Sequence, residues 1–168
     1  MSARRAHNER SITTAALLCA TIFALTACSN DPGEPTVKPS RAEQSVVEFV
    51  EQSSAAAGGE WEHVSGPGVR ECAQENGAPG TMFVYIVKRA DSTDADARAD
   101  VRAVGERWKD LGVDVEWYES GGADPVPGVR GRGGPVISAS FNAKPGNYRL
   151  SATSQCSDGS PDELSREG

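Results

Sequence analysis

The chain has 168 residues, with 24 acidic residues against 17 basic ones and a formal net charge of −7. This length is typical of one domain, and the acidic balance gives the domain no reason to bind phosphate backbones, so we expect no nucleic-acid partner. With two histidines and four cysteines, the chain has few of the ligands that a zinc site requires, and we expect neither a metal nor a cofactor.

The first 27 residues have the layout of a secretory signal peptide. Three arginines precede an apolar stretch from about Ile12 to Ala27, which is shorter and richer in alanine and threonine than a membrane-spanning helix. Residues 25–28 read Leu-Thr-Ala-Cys and resemble the lipobox of bacterial lipoproteins. The thiol of such a cysteine forms a thioether to diacylglycerol, so we expect cleavage before Cys28 and lipidation of Cys28.

Residues 28–39 are predicted to link this lipid anchor to the folded part. They contain three prolines and no apolar period, which is typical of an extended spacer. Two acyl chains on one residue hold a protein stably on a bilayer, so we expect the chain at the extracytoplasmic face of the cell membrane. Loss of the signal removes three arginines and one glutamate, and the more acidic remainder should stand away from anionic lipid.

The remaining cysteines indicate a disulfide. Cys19 lies in the signal peptide and Cys28 takes the lipid, which leaves Cys72 and Cys156. An even pair in an exported domain favours a bridge, and a loop of this length makes it worth about 4 to 5 kcal/mol of stability. We expect the two strands that carry these cysteines to lie side by side or across one corner of the sheet, with Cys156 facing the core.

The folded domain is predicted to span residues 40–156 and to begin with a helix. Ser40 stands at capping-box spacing from a glutamate, and apolar residues repeat at helical intervals over residues 42–50. Two strands follow, a short one around residues 69–73 and a long apolar one at 81–89 that is rich in β-branched and aromatic residues.

A second helix and three strands complete the predicted domain. Residues 92–112 space apolar side chains by four and three, with aspartates at the start and a glycine at the end. Residues 113–118 alternate apolar and acidic side chains, as a half-buried strand does. Residues 136–141 and 148–156 flank a Pro-Gly turn and indicate a hairpin. The polar tail, residues 157–168, is expected to be disordered.

The predicted order of elements is α-β-β-α-β-β-β. It indicates an α+β fold with an antiparallel or mixed sheet and two helices packed on one face. The Gly/Pro-rich segment 120–135 is predicted to be a long loop. It carries Arg130 and Arg132 on an otherwise acidic domain, so we expect a mobile loop whose arginines bind an acidic or polar envelope protein or glycan.

Several of these features together resemble a known family. The lipobox, Trp61, Cys72 before an apolar strand, a helix that ends at 111–112 and a final strand that closes on Cys156 are similar to the small cell-envelope lipoproteins of actinobacteria typified by the LppA family. The resemblance implies an envelope lipoprotein. It assigns no activity to any residue.

Two groups of residues leave other functions open. His63 has carboxylates beside it and serines elsewhere in the chain, but no Gly-x-Ser-x-Gly motif is present. Asp114, Glu116 and Glu119 could supply paired carboxylates for glycoside cleavage. We expect a non-catalytic binding or accessory domain. The alternatives are an envelope hydrolase that uses His63 or these three acids, and a carrier of a small apolar ligand.

Overall fold

The computed structural model describes residues 37–90, 96–162 and 164. The predicted signal peptide, Cys28 and most of the predicted linker lie outside these ranges. The described chain forms two helices and six strands: α1 (Pro39–Ala57), β1 (Glu62–Ala73), β2 (Pro79–Arg89), α2 (Ala97–Asp110), β3 (Asp114–Ser120), β4 (Val126–Gly133), β5 (Val136–Lys144) and β6 (Asn147–Ser154). Neither of these two helices is long and apolar enough to cross a bilayer.

The six strands form one antiparallel sheet in the order β1-β2-β6-β5-β4-β3. The predicted α+β class is confirmed, and so is the predicted order of elements, to which the structure adds β4. This strand pairs with β3 on one side and with β5 on the other. The prediction of a long mobile loop is therefore wrong for residues 126–133, and residues 121–125 form the connection between β3 and β4.

The glycines of β4 explain why this strand was not predicted from the sequence. Glycine has a low strand propensity, but here it makes room for large neighbours. A Cβ on Gly131 would lie 2.6 Å from the Cγ1 of Val113 and 2.9 Å from the Cε3 of Trp108. A Cβ on Gly128 would collide with the ring of Tyr118. The two glycines thus admit aromatic side chains that pack on opposite faces of β4.

The helix starts differ in how they are capped. Helix α1 begins at Pro39, with Lys38 as an N-cap that makes no side-chain hydrogen bond. Ser40 therefore lies inside the first turn, and the predicted capping box is wrong, because proline already fits the first helical position. Helix α2 is capped by Asp96, whose carboxylate accepts hydrogen bonds from two backbone N–H groups of the first turn.

Both helices pack on one face of the sheet, which we call the covered face. One row of side chains crosses this face in register from β2 to β3: Val87, Leu150, Phe141, Val129 and Trp117. Above the sheet, Trp108 of α2 stacks on Phe49 of α1 with 5.5 Å between ring centroids. The Nε1 of Trp108 donates a hydrogen bond to the Oγ of Ser53 at 2.8 Å. This buried pair joins the two helices.

The predicted disulfide between Cys72 and Cys156 is confirmed, with 6.0 Å between the Cα atoms. Strands β1 and β6 are not adjacent, because β2 lies between them, and the bridge crosses β2 at Gly80. A Cβ on Gly80 would lie 2.7 Å from the Sγ of Cys156. The bridge therefore lies on the face opposite Phe83. The predicted core-facing orientation of Cys156 is wrong, because regular alternation stops where β6 ends, at Ser154.

The chain after the disulfide continues the fold for several residues. Ser157 exchanges two backbone hydrogen bonds with Thr81, and the Oγ1 of Thr81 donates to the carbonyl of Gly159. The backbone N–H of Asp158 donates to the carbonyl of Val37, just before α1. The first residues of the predicted disordered tail thus pair with β2 and with the start of the domain.

Candidate functional site on the open face of the sheet

The face of the sheet opposite the helices, which we call the open face, is mainly polar. One row crosses it in register from β2 to β3: Ile86, Ser151, Ser140, Arg130 and Glu116. Along each strand, the residue of this row is the sequence neighbour of a residue in the apolar row. The two rows lie on opposite faces because successive residues of a strand point to opposite sides. The open face is therefore the broad polar surface that the helices leave to solvent.

Two arginines and four hydroxyl groups line a shallow depression of about 180 Å³ on this face. We call this set the arginine surface: Arg130, Arg132, Ser138, Ser140, Ser151 and Thr153. Because Arg130 and Arg132 are two positions apart on β4, both side chains project to the same side. Their predicted position in a loop was wrong. The strand holds them in register with the hydroxyls of β5 and β6.

The charges of the arginine surface are only partly compensated. The guanidinium of Arg130 lies 4.4 Å from the ring centroid of Tyr118, a distance that favours a cation–π contact. Glu116 and Asp114 stand opposite Arg130 and Arg132 in the register of β3 and β4. Neither arginine forms an ion pair or a hydrogen bond with any residue that the structure describes. Both guanidinium groups keep their donors available to a ligand.

His63 lies on β1, away from the arginine surface. Its Nε2 hydrogen bonds to the carbonyl of Gly66, and its ring centroid lies 5.7 Å from that of Tyr85. Within residues 37–90, 96–162 and 164, no serine or carboxylate hydrogen bonds to His63. The structure therefore does not bring His63 together with the other members of a catalytic triad.

The three acids of β3 do not converge on one point. Asp114 and Glu116 project from the open face, whereas Glu119 lies on the covered side and forms an ion pair with Arg98 of α2. Alternation along the strand separates Glu119 from the other two acids. Paired-carboxylate chemistry needs two groups that flank one bond, and of the three acids only Asp114 and Glu116 share a face, each opposite an arginine of β4. No cluster of three metal-binding side chains occurs among the described residues.

The space between the helices and the sheet is filled by large side chains. Trp108, Tyr148, Phe49 and Phe141 are fully buried there, and Phe141 contacts Tyr148 edge-on at 5.7 Å between centroids. A carrier of a small apolar ligand would need a sizeable cavity at this place. The close packing resembles an ordinary protein core.

A buried polar cluster near the end of β2 is a feature that sequence reasoning missed. The Nη1 of Arg89 donates hydrogen bonds to the carbonyls of Ala57 and Gly58, at the end of α1. The same atom lies 3.8 Å from the Oδ2 of Asp100. Burial, followed by the charge of Asp100, raises the pKa of Tyr148 to about 12. The sequence does contain a sign that Arg89 is buried. Alternate residues of a strand share one face, and residue 89 lies on the covered face with residues 83, 85 and 87.

Comparison with known proteins gives a fold and no activity. No known protein family and no curated protein matches the sequence. Among solved structures, the chain is similar to the crystal structure of a DUF4853 family protein from Actinomyces odontolyticus, an uncharacterised family. The TM-score is 0.52, the identity is 20%, and the alignment covers 74% of this chain and 71% of that chain. At this identity the likeness concerns the fold alone.

Proposed function

We propose that this chain is a lipoprotein of the cell envelope, anchored by lipid on Cys28, whose α+β domain is a non-catalytic binding or accessory module. The observation that supports the binding role is the arginine surface. Guanidinium groups bind carboxylates and phosphates in a planar, two-pronged geometry. The neighbouring hydroxyls can donate and accept further hydrogen bonds. The partner is therefore an acidic protein or glycan of the envelope.

The anchor rests on the sequence before the domain. The lipobox ends at Cys28. An extended spacer rises by about 3.1 Å per residue, so the predicted linker is long enough to hold the domain a few tens of ångströms above the bilayer. The acidic domain is repelled by anionic lipid, which leaves the arginine surface free for a partner. The same features support the further proposal that the chain is similar to the small actinobacterial envelope lipoproteins of the LppA type.

The binding role is tested by comparing variants for affinity. The full chain is cross-linked to its partner in native membranes, the partner is identified by mass spectrometry, and its affinity is measured for Arg130→Ala/Arg132→Ala. We expect a loss of about tenfold or more and a weaker dependence on salt. The matched control is Lys38→Ala/Arg41→Ala, which removes two cationic side chains at the start of α1, one from the N-cap and one from the first turn. Equal affinity and equal salt dependence in all three proteins would refute the role of the arginine surface.

The anchor is tested separately, by labelling. Cells that express the chain are fed a labelled fatty acid, and we expect the label on the wild-type protein. Cys28→Ala should remain as an unlabelled, unprocessed precursor, because no thiol is left to acylate. Cys19→Ala keeps the lipobox and should be labelled like the wild type. A wild-type protein that carries no label would refute the anchor and leave the binding test unaffected.

A further inference from the structure

The two edges of the sheet differ in regularity. Edge strand β1 contains Pro67, and its pairing with β2 shifts register twice, between His63 and Ser65 and between Ser65 and Gly68. Such irregularity protects an edge from further pairing. Edge strand β3 pairs with β4 at seven consecutive positions from 114 to 120 with no shift. Every second residue of a regular edge strand points its N–H and C=O groups away from the sheet. These groups of β3 can therefore pair with an added strand.

A groove of about 580 Å³ lies beside this edge, between α2 and the β3–β4 hairpin. Its apolar part is formed by Val101, Trp117 and Pro127. The ring of Trp117 packs directly against Gly105 of α2, where any Cβ would collide with it. Even so, Trp117 remains 43% exposed. An apolar side chain placed in the groove would cover that exposed ring.

The charges along the groove leave one cation uncompensated. Glu119 forms an ion pair with Arg98, and Glu106 with Lys109 at 2.9 Å. Arg102 lies on the same stripe of α2, lines the groove and forms no ion pair with any described residue. An acidic group on a ligand would find its complement at Arg102.

We propose that β3 accepts an extended peptide segment of a partner protein as a seventh strand. Main-chain hydrogen bonds to the edge supply affinity, and alternate side chains of the peptide enter the groove. One apolar side chain packs on Trp117, and one acidic side chain pairs with Arg102. The groove lies on the covered side of β3 and the arginine surface on the open face, and the two meet at Tyr118, which lines the groove and contacts Arg130. The proposal goes beyond the function proposed above, and its test uses other residues and another ligand, so either can fail without the other.

The test uses a display library of short random peptides selected on the detergent-solubilised full chain. We expect selected peptides to combine an apolar residue with an acidic one. One selected peptide is then synthesised in two forms, methylated at its odd or at its even backbone nitrogens. Because a strand presents alternate N–H groups to its neighbour, one form should lose binding at least about tenfold while the other keeps it. Equal binding of both forms would overturn strand addition.

Charge exchange tests the contact with Arg102. Arg102→Glu should weaken the peptide about tenfold or more, and a peptide with lysine in place of its acidic residue should bind this variant better than the wild type. Arg41→Glu, a matched reversal on the exposed side of α1, should leave binding unchanged. Selection of no peptide, or no response to Arg102→Glu, would overturn the proposal. If the chain dimerises and the peptide competes with dimerisation, the result would overturn the proposal and show that the β3 edge binds a second copy of the chain.

Discussion

Two rows of side chains, one on each face of the sheet, cross the same five strands in one register, yet they differ in chemistry. On the covered face the row from Val87 to Trp117 is apolar, and its members from Val87 to Val129 are buried beneath the two helices. On the open face the neighbouring row from Ile86 to Glu116 carries hydroxyls and charges. Burial of apolar area stabilises the fold, whereas exposed polar groups add little to stability. We infer that the covered face specifies the fold and that the open face is free to bind.

The disulfide is the largest expected exception to this comparison, because it stabilises the fold from the open face. Cys72→Ser/Cys156→Ser should lower the free energy of unfolding by between about 4 and 5 kcal/mol, since the bridge closes a long loop in the unfolded chain. Urea denaturation of the variant measures the loss, and reduction of the wild-type protein should reproduce it. A change below about 1 kcal/mol would mean that β2 and the paired residues around Thr81 hold this end without the bridge.

The centre of the covered face should show the next largest effect. Trp108→Ala removes a fully buried ring, its contact with Phe49 and its hydrogen bond to Ser53. We expect a loss of about 4 kcal/mol in urea denaturation. Trp117→Ala is the matched control at the edge of the same face, and it should cost clearly less because Trp117 is 43% exposed. Equal losses would show that the covered face has no packed centre.

Close packing against β4 can be tested by filling the space above one glycine. Gly131→Val should destabilise the domain by about 2 kcal/mol, because its Cβ would lie 2.6 Å from the Cγ1 of Val113. Gly122→Val is the control in the β3–β4 connection, where a Cβ would have no neighbour within 4 Å. The control should change the free energy of unfolding by less than about 0.5 kcal/mol. A tolerated Gly131→Val would contradict the close approach of α2 to β4.

Alkaline pH should weaken the covered face through Tyr148. Burial raises its pKa from 10.0 to about 12, so the neutral phenol is the form that the folded state prefers. The stability that this shift represents is present below pH 10 and is lost as pH rises from 10 to 12. At pH 11 the loss relative to pH 9 should be about 1.3 kcal/mol. Tyr148→Phe should lack this part of the pH dependence, and an identical pH profile in both proteins would contradict the prediction.

The sequence predicted elements whose side chains alternate or repeat regularly. The stripe of α1 around Phe49 and the alternation of β3 follow from local spacing, and the pair of Cys72 and Cys156 follows from the cysteine count. Strand β4 could not be predicted in this way, because its glycines at 128 and 131 leave room for aromatic rings of β3 and α2. Strand-propensity rules exclude such glycines, and tertiary contacts override the rules.

The candidate site was predicted in part. Arg130 and Arg132 drew attention as cations on an acidic domain, and their alternation was the available sign that they lie on a strand. The register that places Ser140 and Ser151 beside them depends on pairing across three strands. Single-sequence patterns do not contain that pairing. The cluster of Arg89 and Tyr148 was missed for the same reason, since its members come from different elements.

We propose that the arginine surface of the open face binds a partner and adds little to the stability of the fold. The most direct measurement is the affinity of Arg130→Glu/Arg132→Glu for the partner captured by the wild-type chain, made on a protein whose free energy of unfolding has been determined. We expect binding to be lost by about tenfold or more, while the free energy of unfolding falls by at most about 2 kcal/mol, because each new glutamate stands opposite an acid of β3. Undiminished binding by this stable, charge-reversed protein would contradict the account.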